Sequence, residues 1–179
     1  HPYYGRARKA RADGATNYID SAALAELSVR PALALDLSNV LFTSAADATS
    51  GKAAATVGAG LVSVGETTGT VKFTMQDESQ TLTVVATNEQ SVQTGTTLQF
   101  NSSAATTGEN QYISCVLTDA NGNVKYYAKL ADSASAASGA LSIPLAGVAD
   151  GTYTLKLFSE EANGNLYTDF CSAPVTMNV

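Results

Sequence analysis

The sequence predicts an all-β chain built as an antiparallel sandwich, and three observations carry that expectation. Between Thr70 and Val179, short apolar runs of strand length recur between turn signals, with no helix-sized periodic segment. Asn121-Gly122 and Asn163-Gly164 each sit between two such runs, and Asn-Gly is the dipeptide that most favours a tight hairpin turn. Thr, Val and Tyr are abundant while charged residues make up only 15% of the chain and Trp is absent, a composition suited to pleated surfaces rather than helical bundles.

The first fourteen residues show neither period and read as loop, with Arg6, Arg8, Lys9 and Arg11 forming a basic run. Thr16–Asp20 reads as a short strand, and Ser21–Leu27 as one or two helical turns behind an N-cap serine. Ser28–Leu37 alternates, with Val29, Leu33, Leu35 and Leu37 on one face, and Pro31 confines it to a sheet edge or a strand start. Asn39–Ala46 carries three bulky apolar residues. The small-residue stretch Asp47–Gly60 then buries too little to order itself and marks a boundary. The expected division is therefore an upstream segment over 1–46, a linker over 47–66 and the sandwich over 67–179.

Within the sandwich, Thr70–Met75 and Thr81–Thr87 are expected to pair around Asp77-Glu78-Ser79, with Val71, Phe73 and Met75 on one face. Strands follow at Thr97–Asn101, Tyr112–Leu117, the aromatic run after Gly122, Ala140–Leu145, Thr152–Phe158 and Leu166–Val179. The predicted core is Phe73, Leu98, Phe100, Ile113, Leu117, Leu155 and Leu157, each worth roughly 1.5–3 kcal/mol of burial before chain entropy is subtracted.

Charge and chemistry narrow the function. The net charge of −6 is carried by an acidic body behind the basic end, which disfavours nucleic acid as a partner. No apolar run reaches the roughly 18 residues needed to span a bilayer. The only histidine is His1, and no serine stands in a Gly-x-Ser-x-Gly elbow, so no catalytic set is assigned. The adjacent pairs Asp77-Glu78 and Glu160-Glu161 read as solvated turn charges. Asp119, Asn121 and Asn123 imitate the opening of a calcium loop, but Leu130 stands where a bidentate Glu is required, which excludes an EF-hand and leaves only a weaker calcium site as an alternative. Hairpin turn chemistry explains the residues without it, and no metal or cofactor is assigned.

Cys115 and Cys171 leave two alternatives open. An even cysteine count in an export-type composition invites a disulfide. In the expected strand order, however, the two lie about 9–10 Å apart across two strand spacings, beyond the roughly 7 Å that a bridge tolerates between α-carbons. Alternation places Cys115 with Ile113 and Leu117, and Cys171 with Val175 and Met177, all facing inward. Tyr126, Tyr127 and Tyr167 are the candidate ligand-binding residues, an aromatic platform for a glycan, although two consecutive strand tyrosines point to opposite faces. Lys72, Lys125, Lys129 or Lys156 opposite an Asn or Asp could form an internal amide, without a motif to select one.

The stretch YISCVLTDANGNVKYYAKLADSASAASGALSIPLAGVADGTYTLKLFSEEANGNLYTDFCSAPVTMNV resembles the immunoglobulin-like repeat at the C-terminus of surface or secreted proteins of Firmicutes. VRPALALDLSNVLFTSAA resembles the closing segment of the domain before it, a domain of unknown function related to the C-type-lectin and formylglycine-generating-enzyme folds. The resemblance implies an immunoglobulin-like sandwich preceded by the end of a lectin-like domain, in a piece of a longer extracellular or cell-surface protein. No functional residue can be carried over with it, and the lack of a catalytic set in the sequence leaves no enzyme activity expected. The expected function is a structural or interaction module, a spacer or assembly domain whose partners are other protein domains or surface glycans. The alternatives are a carbohydrate-binding adhesin using the exposed tyrosines, and a filament subunit that self-associates by strand pairing through Ser28–Leu37.

Overall fold

The computed structural model describes residues 7–10, 16–19, 34, 36–46, 51–64, 69–86, 92–93 and 95–179. The chain divides into two compact units, His1–Leu35 and Asp36–Val179. In the first, β1 (Ala7–Ala10) pairs antiparallel with β2 (Thr16–Ile19). Arg8 and Lys9 therefore sit in a strand rather than in the loop expected there, while the short strand around Tyr18 and Ile19 is present. The helical turns expected over Ser21–Leu27 lie outside the described residues. So does most of the strand expected over Ser28–Leu37, and Leu37 itself opens a 3-10 turn, Leu37–Asn39, capped by the Asp36 carboxylate.

The second unit is all-β apart from short 3-10 turns. Its strands are β3 (Val40–Ala45), β4 (Val62–Ser63), β5 (Val71–Gln76), β6 (Thr83–Ala86), β7 (Thr97–Ser103), β8 (Gln111–Thr118), β9 (Val124–Asp132), β10 (Gly139–Pro144), β11 (Thr154–Glu161), β12 (Asp169–Cys171) and β13 (Val175–Asn178). One sheet has the order β10-β7-β6; the other runs β3-β5-β12-β11-β8-β9-β4, with β13 also paired to β11. All these ladders are antiparallel except β5 with β12, which is parallel. The Asn121-Gly122 turn between β8 and β9 forms as predicted, with Gly122 at φ 83°. Asp119 accepts from the backbone N–H of Asn121 and of Asn123 at 2.9 Å each, so turn chemistry accounts for its carboxylate.

Two differences from expectation follow from the sheet order. β5 and β6 do not pair with each other: the Asp77-Glu78-Ser79 turn carries the chain from one sheet to the other. The closing strand is broken at Ser172–Pro174, so β12 and β13 line different stretches of β11. Proline offers no N–H to a ladder, which is why the break falls there.

The larger sheet buries both faces. On one, Ile113, Cys115, Leu117, Leu155 and Leu157 share a core with Leu98, Phe100, Leu141 and Ile143 of the smaller sheet. Of the predicted core, only Phe73 is misplaced, half-buried on the opposite side of β5 from Lys72 and Thr74. On the other face, Phe42, Ala55, Val64, Val116, Tyr127, Phe158 and Cys171 form a second cluster. In a flat sheet β3 and β9 would stand five spacings, or about 24 Å, apart. The rings of Phe42 and Tyr127 are instead 6.1 Å apart, so the sheet curls and this face is concave.

That geometry moves the expected boundary. β3 pairs with β5, and Phe42 is buried, so Val40–Ala45 belongs to the downstream unit. The described part of the expected linker, Gly51–Val64, holds a 3-10 turn, Gly51–Ala54, and the strand β4 on β9. β3 and β4 are opposite edges of the curled sheet, and the described part of the chain between them, residues 51–61, packs across the concave face through Lys52 and Ala55. Burial there, rather than side-chain bulk, orders a sequence of small residues.

Candidate functional site

The crossing segment delivers one long side chain into the concave face. Gly51 adopts φ +56°, and a Cβ on it would lie 2.7 Å from the Val64 carbonyl oxygen, so only glycine fits. The next residue, Lys52, is thereby turned inward and is 5% exposed. Its Nζ lies 5.1 Å from the Phe42 ring centroid and 5.2 Å from that of Tyr127, and Phe158 packs on Phe42 from the sheet floor.

Alternation then selects what the ammonium meets. On β5, Lys72 and Thr74 point into the concavity; on β11, Phe158 and Glu160; on β12, Asp169 and Cys171. Asp169 stands directly across from Thr74, and Cys171 across from Glu160. Lys52 Nζ donates to Glu160 Oε1, to Asp169 Oδ2 at 2.5 Å and to Thr74 Oγ1 at 2.9 Å. The second oxygen of each carboxylate is also held. Glu160 Oε2 accepts from the Tyr127 hydroxyl at 2.6 Å, which itself lies 3.2 Å from Ser114 Oγ. Asp169 Oδ1 accepts from Lys72 Nζ at 2.7 Å and from the Asn163 backbone N–H at 2.7 Å.

The result is a four-charge node, two lysines with two carboxylates, each carboxylate wholly buried. Isolated buried charges are untenable, and pairing with added hydrogen bonds is what makes such a group bearable. Burial pushes the Lys52 ammonium towards neutrality, but Glu160 and then Asp169 outweigh it and hold its pKa above 10.5. Burial first, and Glu160 second, push the Tyr127 phenol well above 10.0. A cleft of about 260 Å³, lined in part by Lys52, Lys72, Lys129, Asn110 and Asp169, leads to the node from outside.

The residues singled out from sequence fare unevenly. Tyr127 is buried against Glu160, whereas Tyr126 lies on the other face with its ring 6.2 Å from that of Tyr153. Tyr167 is 71% exposed. The three therefore do not form one aromatic platform, because consecutive strand residues face opposite ways. Cys115 and Cys171 are both free and belong to different clusters on opposite faces of the larger sheet, which excludes a bridge between them. Cys171 does not share a face with Val175 and Met177, since the break at Ser172–Pro174 resets the alternation. Glu160 is no solvated turn charge but the centre of the node. Among the lysines considered for an internal amide, Lys72 reaches a buried carboxylate, and Lys52, the better placed, was hidden in a stretch that reads as linker.

Among the described residues no three His, Cys, Asp or Glu side chains gather as a metal site, and no helix is long and apolar enough to cross a membrane. Comparison with protein-family models, with curated proteins and with solved structures finds no match.

Proposed function

We propose that the chain is a structural module of a longer exported protein, a spacer or assembly domain of the immunoglobulin-like kind, rather than an enzyme. The observation that carries this reading is the buried node: it ties Lys52, near the start of the Asp36–Val179 unit, to Asp169, near its end. Tension entering a module through its two ends would run through that tie instead of peeling the strands between them. Support for the immunoglobulin-like reading comes from a core shared by two sheets and from the resemblance of Tyr112–Val179 to surface-protein repeats. Support for a place outside the cell comes from the same resemblance and from the Ser-, Thr- and Gly-rich, sparsely charged composition.

Single-molecule pulling on the chain between handles at its two ends tests the proposal. A load-bearing module stays folded at forces that extend the Lys52→Ala variant. Equal unfolding forces for the two proteins would overturn the reading.

A further inference from the structure

Salt bridges in the interior are normally held by good geometry alone, yet the node has every component of an acyl-transfer site. It contains an amine, a carboxyl carbon within its reach, a second carboxyl touching the same amine, and two donors on the oxygen that would become anionic. From this arrangement we infer that Lys52 and Asp169 condense spontaneously to an internal amide, with Glu160 carrying the protons.

The roles follow from what each oxygen touches. Asp169 Oδ2 faces Lys52 Nζ at 2.5 Å, and Oδ1 is held by Lys72 Nζ and the Asn163 N–H, each at 2.7 Å. Those two donors sit where negative charge develops when nitrogen adds to Cγ, the geometry of an oxyanion hole. Glu160 has one oxygen on Lys52 and the other on the Tyr127 hydroxyl, with no donor set of that kind, and so suits proton transfer.

The balance closes within the node. Lys52 ammonium passes one proton through Glu160 to Asp169 Oδ2, leaving a neutral amine beside a carboxylic acid. Nζ adds to Cγ, and the electron pair of the C–O double bond moves onto Oδ1, facing Lys72 and Asn163. A second proton leaves Nζ through Glu160 to Oδ2, the Cγ–Oδ2 bond breaks, and water departs as the carbonyl re-forms. One ammonium and one carboxylate become one amide and one water, Glu160 ends as it began, and no oxidant or other co-reactant is consumed.

Two physical terms favour the reaction. Groups fixed at contact distance react with effective molarities on the order of 10⁵–10⁸ M. Condensation also removes two charges from an interior where each carries a desolvation penalty, and replaces them with a neutral amide. The cleft beside Asp169 gives the released water a way out. The inference stands on this geometry and does not depend on the mechanical role proposed above.

Intact-mass spectrometry of the purified chain tests it, followed by fragmentation of a protease digest. The expected mass is lower than that of the sequence by one water, with a branched peptide joining Lys52 to Asp169. Asp169→Asn should retain the link while losing one ammonia instead. Lys52→Arg, which keeps a cation in the node, and Glu160→Gln should each restore the full mass. A wild-type chain at full sequence mass would overturn the inference. So would a water loss that persists in Lys52→Arg, the signature of a cyclised aspartate elsewhere, or a link mapped to Glu160 instead of Asp169.

Discussion

Lys52 and Asp169, 117 positions apart in the chain, meet with Nζ and Oδ2 2.5 Å apart on the concave face of one curled sheet. The contact depends on a crossing segment that enters from one sheet edge, and on a short strand, β12, that is parallel to β5 and antiparallel to β11. The contact ties the crossing segment to β12 on the concave side of the curl.

Removing the cation should therefore cost far more than removing an exposed one. Lys52→Ala cannot form the amide and leaves Glu160 and Asp169 buried with too few positive partners, and removing one partner of a buried charged group in this way costs about 3–5 kcal/mol. Lys125 pairs with Asp119 at 3.4 Å on the surface, where both are screened. Urea unfolding should show a large fall in midpoint for Lys52→Ala and none beyond error for Lys125→Ala. Similar behaviour of the two variants would mean that the node does not hold the fold.

Gly51→Ala should act on the node without touching a charge. The left-handed conformation costs a non-glycine residue about 1–2 kcal/mol, and the new Cβ would meet the Val64 carbonyl oxygen at 2.7 Å. The crossing segment has to shift, and Lys52 shifts with it. The expected outcome is a lowered urea midpoint together with faster proteolysis between Gly51 and Val64. Wild-type stability and cleavage in this variant would show that the segment tolerates rearrangement.

Much of the larger core was legible because its residues obey one local rule. Leu98 and Phe100, or Ile113 and Leu117, alternate on strands bounded by turn residues, and alternation alone puts them inside. The node was not legible for the opposite reason. Lys72 and Thr74 occupy the enclosed face of β5 while Phe73 and Met75 take the other, so the apolar residues mark the wrong side. That inversion matches the partners the face meets: Thr74 accepts from Lys52, and Lys72 reaches Asp169. Gly51-Lys52 itself sits among alanines and threonines that carry no period, and its one local signal is a glycine beside a lone charge. Glu160 was misread because its neighbour Glu161 suggests a solvated pair, whereas strand alternation puts only one of the two inside.

The cysteines give a chemical check on the two-faced sheet. Both are free and buried, and burial raises each thiol from 9.0 to about 12, with Glu160 adding to the effect at Cys171. Neither should react with a thiol reagent at neutral pH while the chain is folded. Both should react at once in strong denaturant without prior reduction. A denatured chain with no titratable thiol would require a bridge, and with it a different sheet order.

Alkaline pH should loosen the fold through the same buried groups. Tyr127 is held well above 10.0 by burial and by Glu160, and the two thiols are held near 12 by burial. Each value is raised in the folded chain, so the unfolded chain gives up its proton first as the pH climbs. The stability these groups contribute is therefore complete below about pH 9, and is lost progressively as pH rises towards the folded values. Urea midpoints should fall through that range, and part of the phenolate absorbance should grow only as the chain unfolds. Tyr127→Phe should abolish that delayed step. At neutral pH it should cost about 1–3 kcal/mol, because Glu160 Oε2 loses the hydroxyl that satisfies it. If the delayed step survives in Tyr127→Phe, the phenol against Glu160 is not its source.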